Sequence, residues 1–145
     1  MFVTSLVLEA CTIRDDFWIV RAPLTWQDAQ FGRITAPVGF YTDLASIPRW
    51  LRNLPAFDPD GKSRRAAVVH DWLYQRQQLP KSTADLFLRA AMIADGCSAL
   101  DADAFYEAVH LFGQSSWDAD HARTMAASFV DAETYQAWAS QSHLP

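Results

Sequence analysis

An α+β fold is predicted for this 145-residue chain, with a small antiparallel β segment at the N-terminus followed by a bundle of three to five helices. Three observations predict it. Short apolar runs cut by Gly, Pro and Asp fill roughly the first 45 residues. From residue 63 onward the apolar residues recur at helical spacing. Hydroxyl residues and glycines bracket those helical stretches. The length suits one domain over 1–145, mainly β and loop over 1–50 and mainly helical over 63–140. Half of the residues are hydrophobic, enough to close a core without staples.

The β elements come first. "TSLVLEA" is a short apolar run, and "DFWIVRAPLTWQD" is rich in aromatic and branched residues until Pro23 breaks it. "FGRITAPVGF" places turn signals at Gly32 and Gly39 around "RITAPV". Two or three short antiparallel strands are expected. Ser63 then caps a helix through "RRAAVVHDWLYQRQ", and Pro80 marks the turn after it. Ser82 caps a second helix, "TADLFLRAAMIADG", ended by Gly96. Ser98 opens a third, "ALDADAFYEAVHLFG", ended by Gly113. A fourth helical region covers "DADHARTMAASFV" and extends to "AETYQAWASQ".

Charge and cysteine content narrow the function. A net charge of -5 argues against nonspecific nucleic-acid binding, which needs a cationic footprint. It argues equally against electrostatic capture on anionic membranes. Two cysteines, Cys11 and Cys97, make neither a disulfide framework nor a Cys-rich zinc site, so a reducing cytoplasm is the simplest compartment. The N-terminus lacks a basic start and Glu9 interrupts its apolar run, so no signal peptide is expected. No apolar stretch approaches the roughly 20 residues of a membrane span.

"AAVVHDWLY", residues 66–74, is the most informative stretch. Seven of its nine residues are apolar or aromatic, yet His70 and Asp71 sit at its centre. Burying an unpaired charge costs several kcal/mol, so both need partners. Helices joined by a tight turn run antiparallel. His70 and Asp85 are equidistant from the midpoint between Gln77 and Gln78, which sets them side by side. Tyr74 lies one turn after His70 on the same face. A carboxylate on one imidazole nitrogen fixes the tautomer and leaves the other nitrogen more basic, as a general base requires. Asp71 is turned by about 100° towards a different neighbour, and its carboxylate oxygens suit a hard cation.

Plainer roles stand open beside these. Asp85 follows Ser82 by three residues, as in a capping box. His70 suits a hydrogen-bonded core position, and Asp71 has Arg64, Arg65 and Arg76 within reach. A second element, "PVGFYTDLASIPRW", holds Thr42 and Asp43 in an apolar loop, with Pro48 near its end. It could give a carboxylate and carbonyl oxygens to a metal, line a substrate channel, or use Asp43 to cap "LASIPRWL".

"GFYTDLASIPRW", "AAVVHDWLYQ", "ADLFLRAAM" and "FYEAVHLFG", in this order, resemble domain-of-unknown-function family 1353 of phages and prophages, from about Phe17 to Trp117. That resemblance implies a phage or prophage origin and a virion or late-gene role. The protein would be made in the host cytoplasm and could be packaged in the virion. "HDWLY" followed by "ADLFLRA" is also similar to the paired helix motifs of phospholipase A2 enzymes. This second resemblance implies His70 as general base, Asp71 as calcium ligand, and Asp85 with Tyr74 as orienters. "GFYTDLASIP" would then supply the calcium loop, with Asp43 as a further ligand.

Three functions follow as expectations. The first is a calcium-dependent esterase acting on phospholipid, with Trp50, Trp72 and Phe40 lining an acyl channel or resting at a membrane interface. The second is a zinc-dependent peptidoglycan hydrolase, with the metal on Asp43, His70 and Asp71 or Asp85, and His110 joining. The third is a non-catalytic virion or tail-associated protein, bound to other virion proteins, in which the polar cluster fixes helix register.

Overall fold

The computed structural model describes residues 1–44 and 61–141. Among the described residues five strands come first: β1 (Leu8–Ala10), β2 (Trp18–Val20), β3 (Leu24–Asp28), β4 (Gly32–Ala36) and β5 (Tyr41–Thr42). Five α-helices follow among them: α1 (Arg64–Arg76), α2 (Lys81–Ala94), α3 (Ala99–Phe112), α4 (Gln114–Ala122) and α5 (Ala132–Ala139). A short 3-10 turn, Met125–Ser128, sits between the last two. The architecture is α+β as predicted. The described strands exceed the two or three expected, because Pro23 divides one aromatic run into β2 and β3 and because β5 adds a further strand.

Those strands form two antiparallel units. One sheet has the order β1-β2-β5, with Leu8 opposite Val20 and Trp18 opposite Thr42. The other is the β3–β4 hairpin, with Leu24 opposite Ala36. Its turn is held by the Phe31 amide donating to Asp28 Oδ1 at 2.6 Å, and Gly32 takes the left-handed conformation the turn needs (φ 72°). β5 lies inside a stretch with little strand character. It is a strand because β2 offers an open edge, which shows tertiary pairing overriding local preference. Pro48, Trp50 and all of the "LASIPRWL" segment after Leu44 lie outside the described residues.

α1 is the core helix: nine consecutive residues, Ala66 to Tyr74, are buried. Arg65 at its start grips Asp95 beyond the end of α2, Nε to Oδ2 2.9 Å and Nη2 to Oδ1 2.6 Å. This contact and the His70–Asp85 contact make the two helices antiparallel. Phe87 on α2 fills the space under the hairpin, edge-on to Trp26 (5.3 Å) and Phe31 (5.5 Å). Full burial of such a side chain stabilises by about 1.5–3 kcal/mol.

Caps differ in part from expectation. Ser98 does cap α3, accepting from the Asp101 amide at 3.1 Å. Ser63 stands at the N-cap of α1 but makes no side-chain capping bond. Ser82 lies inside α2, which starts at Lys81 behind Pro80, whose carbonyl takes the Thr83 and Ala84 amides. Proline suits this place because a helix start needs no intrahelical donor from it. Asp85 is therefore not a capping-box residue. Gly113 does not break the chain away from α3: its φ of -80° is helical, and α4 begins at the next residue. The C-terminal segment closes back on the strands, with the Val130 amide donating to Gly39 O at 2.7 Å and Phe40 bridging to Phe129.

Candidate active site

Three faces of α1 carry three different environments. His70 and Tyr74 face α2. Asp71 and Gln75, about 100° further round, face a polar cavity. Trp72 and Arg76, another 100° on, face a larger cavity on nearly the opposite side of the helix from His70.

On the first face, Asp85 is fully buried and gathers donors. His70 Nε2 lies 3.0 Å from Oδ1, and the Tyr74 hydroxyl donates to the same oxygen at 2.7 Å. Lys81 Nζ donates to Oδ2 at 2.8 Å from one turn earlier on α2. Burial raises the Asp85 carboxyl pKa, but the hydrogen bonds from His70, Lys81 and Tyr74 together outweigh it and hold it below the ordinary range. The carboxylate is thus ionised and accepts only, so Nε2 must carry the His70 proton. In the neutral imidazole Nδ1 is then the acceptor, and it is buried without a hydrogen-bond partner among the described residues. Burial, with Asp85 beside it, pushes the Tyr74 phenol far above its ordinary value, so it stays a donor.

Helices α3 and α4 close this face. Lys81 Nζ also donates to the Val109 carbonyl at 2.9 Å and the His110 carbonyl at 3.3 Å, at the C-terminal end of α3. The Trp117 ring meets Tyr74 edge-on at 5.1 Å. His70 itself has no exposed surface.

On the second face, Asp71 accepts from Thr42 Oγ1 at 2.5 Å, and that hydroxyl also takes the Leu44 amide at 3.2 Å. Asp43, Asp71 and Asp120 line one cavity of about 300 Å³ with Gln75 and Arg123. Burial pushes Asp120 up to about 6; Arg123 opposes this, the Asp43 charge adds to it, and Gln75 opposes it in turn. Phe40 lines the same cavity, while Trp72 belongs to the larger one. Both are buried and meet edge-on at 5.1 Å, so neither offers a surface to a membrane interface.

A profile for a family described as "Protein of unknown function (DUF1353)" matches residues 18–109. The chain belongs to this family. The DUF1353 match runs from β2 to the last turn of α3 and encloses Asp43, His70, Asp71, Tyr74, Lys81 and Asp85. It ends short of Trp117, before His110 and α4. No curated protein and no solved structure matches the chain.

The structure brings His70, Tyr74 and Asp85 together and places Asp43 and Asp71 on one neighbouring cavity. His110 stands apart from that cavity's lining. It stacks on Tyr106 and its Nδ1 is 3.7 Å from Asp85 Oδ2. Arg65 binds Asp95, not Asp71. Two participants escaped the sequence reading. Lys81 was legible as an i,i+4 partner of Asp85. Asp120 had no local signal, since only the packing of α4 against α1 brings it to the cavity.

Among the described residues no three His, Cys, Asp or Glu side chains converge to hold a metal ion. The cavity's donors are nevertheless all oxygen or amide, with no His or Cys among its described lining. Asp43, Asp71 and Asp120 offer carboxylate oxygens of the hard kind calcium takes, with the Arg123 cation set among them.

Proposed function

We propose that this chain is a calcium-dependent, phospholipase A2-like ester hydrolase. The observation that carries the reading is His70 Nδ1, buried without a hydrogen-bond partner among the described residues while Asp85 engages the opposite nitrogen. A water bound there would lose its proton to Nδ1 as its oxygen attacks the ester carbonyl carbon. The protonated imidazole is stabilised by the Asp85 carboxylate and then returns the proton to the departing alcohol oxygen. Tyr74 and Lys81 keep Asp85 in place. Asp71 and Asp43 are the residues that would hold calcium, which supplies polarisation of the carbonyl and charge for the developing oxyanion. The substrate class, a phospholipid or another acyl ester of a cell envelope, follows from the phospholipase resemblance. A phage or prophage setting, with synthesis in the host cytoplasm, follows from the family resemblance.

One observation favours a second reading. His70 is fully enclosed and Asp85 has three donors, which is also what a cluster fixing helix register in a virion-associated protein would show.

The deciding experiment is fatty acid release from mixed phospholipid micelles, with calcium and with chelator. Wild type, His70→Gln and Asp85→Asn are compared, each checked for folding by circular dichroism. The enzyme reading expects calcium-dependent release that both folded variants lose. No release from wild type, with a melting temperature indifferent to calcium, would sink it and favour the second reading.

A further inference from the structure

Helix α3 has two faces. Ala102, Phe105, Ala108 and Val109 are buried against the bundle. On the other side Leu100, Ala104, Glu107 and Leu111 form an exposed stripe. Their alternation of four and three residues is the seam spacing of a helix that packs on another helix. Leu100 is 80% exposed and Leu111 64%. α2 repeats the pattern: Leu86 and Ile93 are exposed two turns apart with Arg89 between them, while Phe87, Leu88, Ala91 and Met92 are buried. Arg89 Nε donates to Asp103 Oδ1 across the two helices, so both stripes belong to one outer face.

Apolar side chains gathered on an outer face mark a surface that another molecule covers. The charges on this face say what covers it. Arg89 and Asp103 stand side by side in its middle, their side chains 39% and 51% exposed. Half a turn about an axis parallel to the helices lays α2 on α3 of a second copy, antiparallel. Arg89 then faces Asp103 of the second copy, and its own Asp103 faces the second Arg89. The pair within each chain is kept, and the four charges alternate around a ring. A guanidinium carries five donors, enough for a carboxylate on each side. Glu107, one turn from Asp103 on the same stripe, adds a second carboxylate for the facing Arg89.

We propose that this chain forms a twofold dimer through the outer face of α2 and α3, its two helix pairs packing as a four-helix bundle. Leu86, Ile93, Leu100 and Leu111 are the apolar seam, and the Arg89–Asp103 ring sets its register. The inference does not rest on catalysis at His70, which lies against the inner side of α2.

Sedimentation equilibrium on the full chain is the test, with each variant checked for folding by circular dichroism. Wild type should be a dimer at micromolar concentration, and Leu100→Glu a monomer. Arg89→Asp and Asp103→Arg each set like charges face to face, so each alone should dimerise at least tenfold more weakly. Mixed in equal amounts, these two variants should form a heterodimer, because every facing pair is then opposite in charge. Loss of the pair within one chain cannot produce that recovery. A monomeric wild type would overturn the proposal and leave the face to a different partner. So would a dimer that Leu100→Glu leaves intact, or a mixture of the two charge variants that stays monomeric.

Discussion

The Tyr74 hydroxyl donates to Asp85 Oδ1 at 2.7 Å, joining α1 to α2 through an oxygen that His70 also approaches. Both side chains are fully buried. Tyr74→Phe keeps the ring and deletes only this donor. A hydrogen bond to a charged group contributes about 1.5–3 kcal/mol, so urea denaturation should show a loss of that order. A loss under ~0.5 kcal/mol would mean that Lys81 and His70 satisfy Asp85 without help.

Acid should unfold the protein partly through Asp85. Its folded pKa lies below the ordinary value, so its contribution is fully present above the unfolded pKa of about 3.9. That contribution is lost as pH falls through the folded value. Melting temperature should therefore fall between about pH 5 and the acid limit, and Asp85→Asn should flatten that fall while lowering stability at neutral pH. Parallel curves for the two proteins would contradict this assignment.

Gly113 makes a sterically specific prediction. Its φ of -80° suits any residue, yet an added Cβ would sit 2.3 Å from the Val109 carbonyl oxygen and 2.7 Å from the Tyr74 hydroxyl. Gly113→Ala should cost about 1–3 kcal/mol through forced repacking, despite alanine's better helix propensity. Thermal melts of Gly113→Ala alone and combined with Tyr74→Phe would show whether the Tyr74 contact is the cause. The double variant should lose less than the sum.

Arg65→Ala should separate the start of α1 from the end of α2. It strands the Asp95 carboxylate, whose side chain is 5% exposed. The expected loss is about 1–3 kcal/mol, moderated because Arg65 is partly solvated. It also removes the cation stacked on Phe2, 4.7 Å from its ring. Amide exchange should quicken near Phe2 and Asp95; exchange quickened throughout the chain would point to global destabilisation instead.

Calcium, on the proposed reading, should raise the melting temperature, and chelator should reverse it. Asp71→Asn retains an acceptor for Thr42 while removing charge from the cavity. Asp43→Asn removes a second charge from it. Each should weaken the calcium shift at least tenfold in midpoint concentration. An unchanged midpoint in both would remove these two residues from the metal site.

Much of the first face was legible because helix periodicity and turn symmetry are local rules. A single turn midpoint brought Asp85 beside His70, and the i,i+4 rule brought Tyr74 there. Ser98 was legible as a cap for the same reason. Ser82 misled because a hydroxyl before an apolar run looks like a cap whether or not Pro80 already starts the helix. β5 was invisible because two residues carry no period; the edge of β2 makes them a strand. Asp120 could not be placed, since its nearness to Asp43 depends on how α4 packs, and no spacing along the chain encodes that.

The aromatic cluster around Trp72 has a consequence for how the chain is made. Phe40 precedes Trp72 in the sequence, but Phe129 and Trp138, which meet its ring at 6.1 and 5.4 Å, emerge much later. During synthesis the first three helices can pair while one side of α1 still waits for its cover. That uncovered indole face is what a chaperone, or another unfinished copy, would meet first. A ribosome stalled before Phe129 should therefore hold a chain that is folded on its His70 side and adhesive on its Trp72 side.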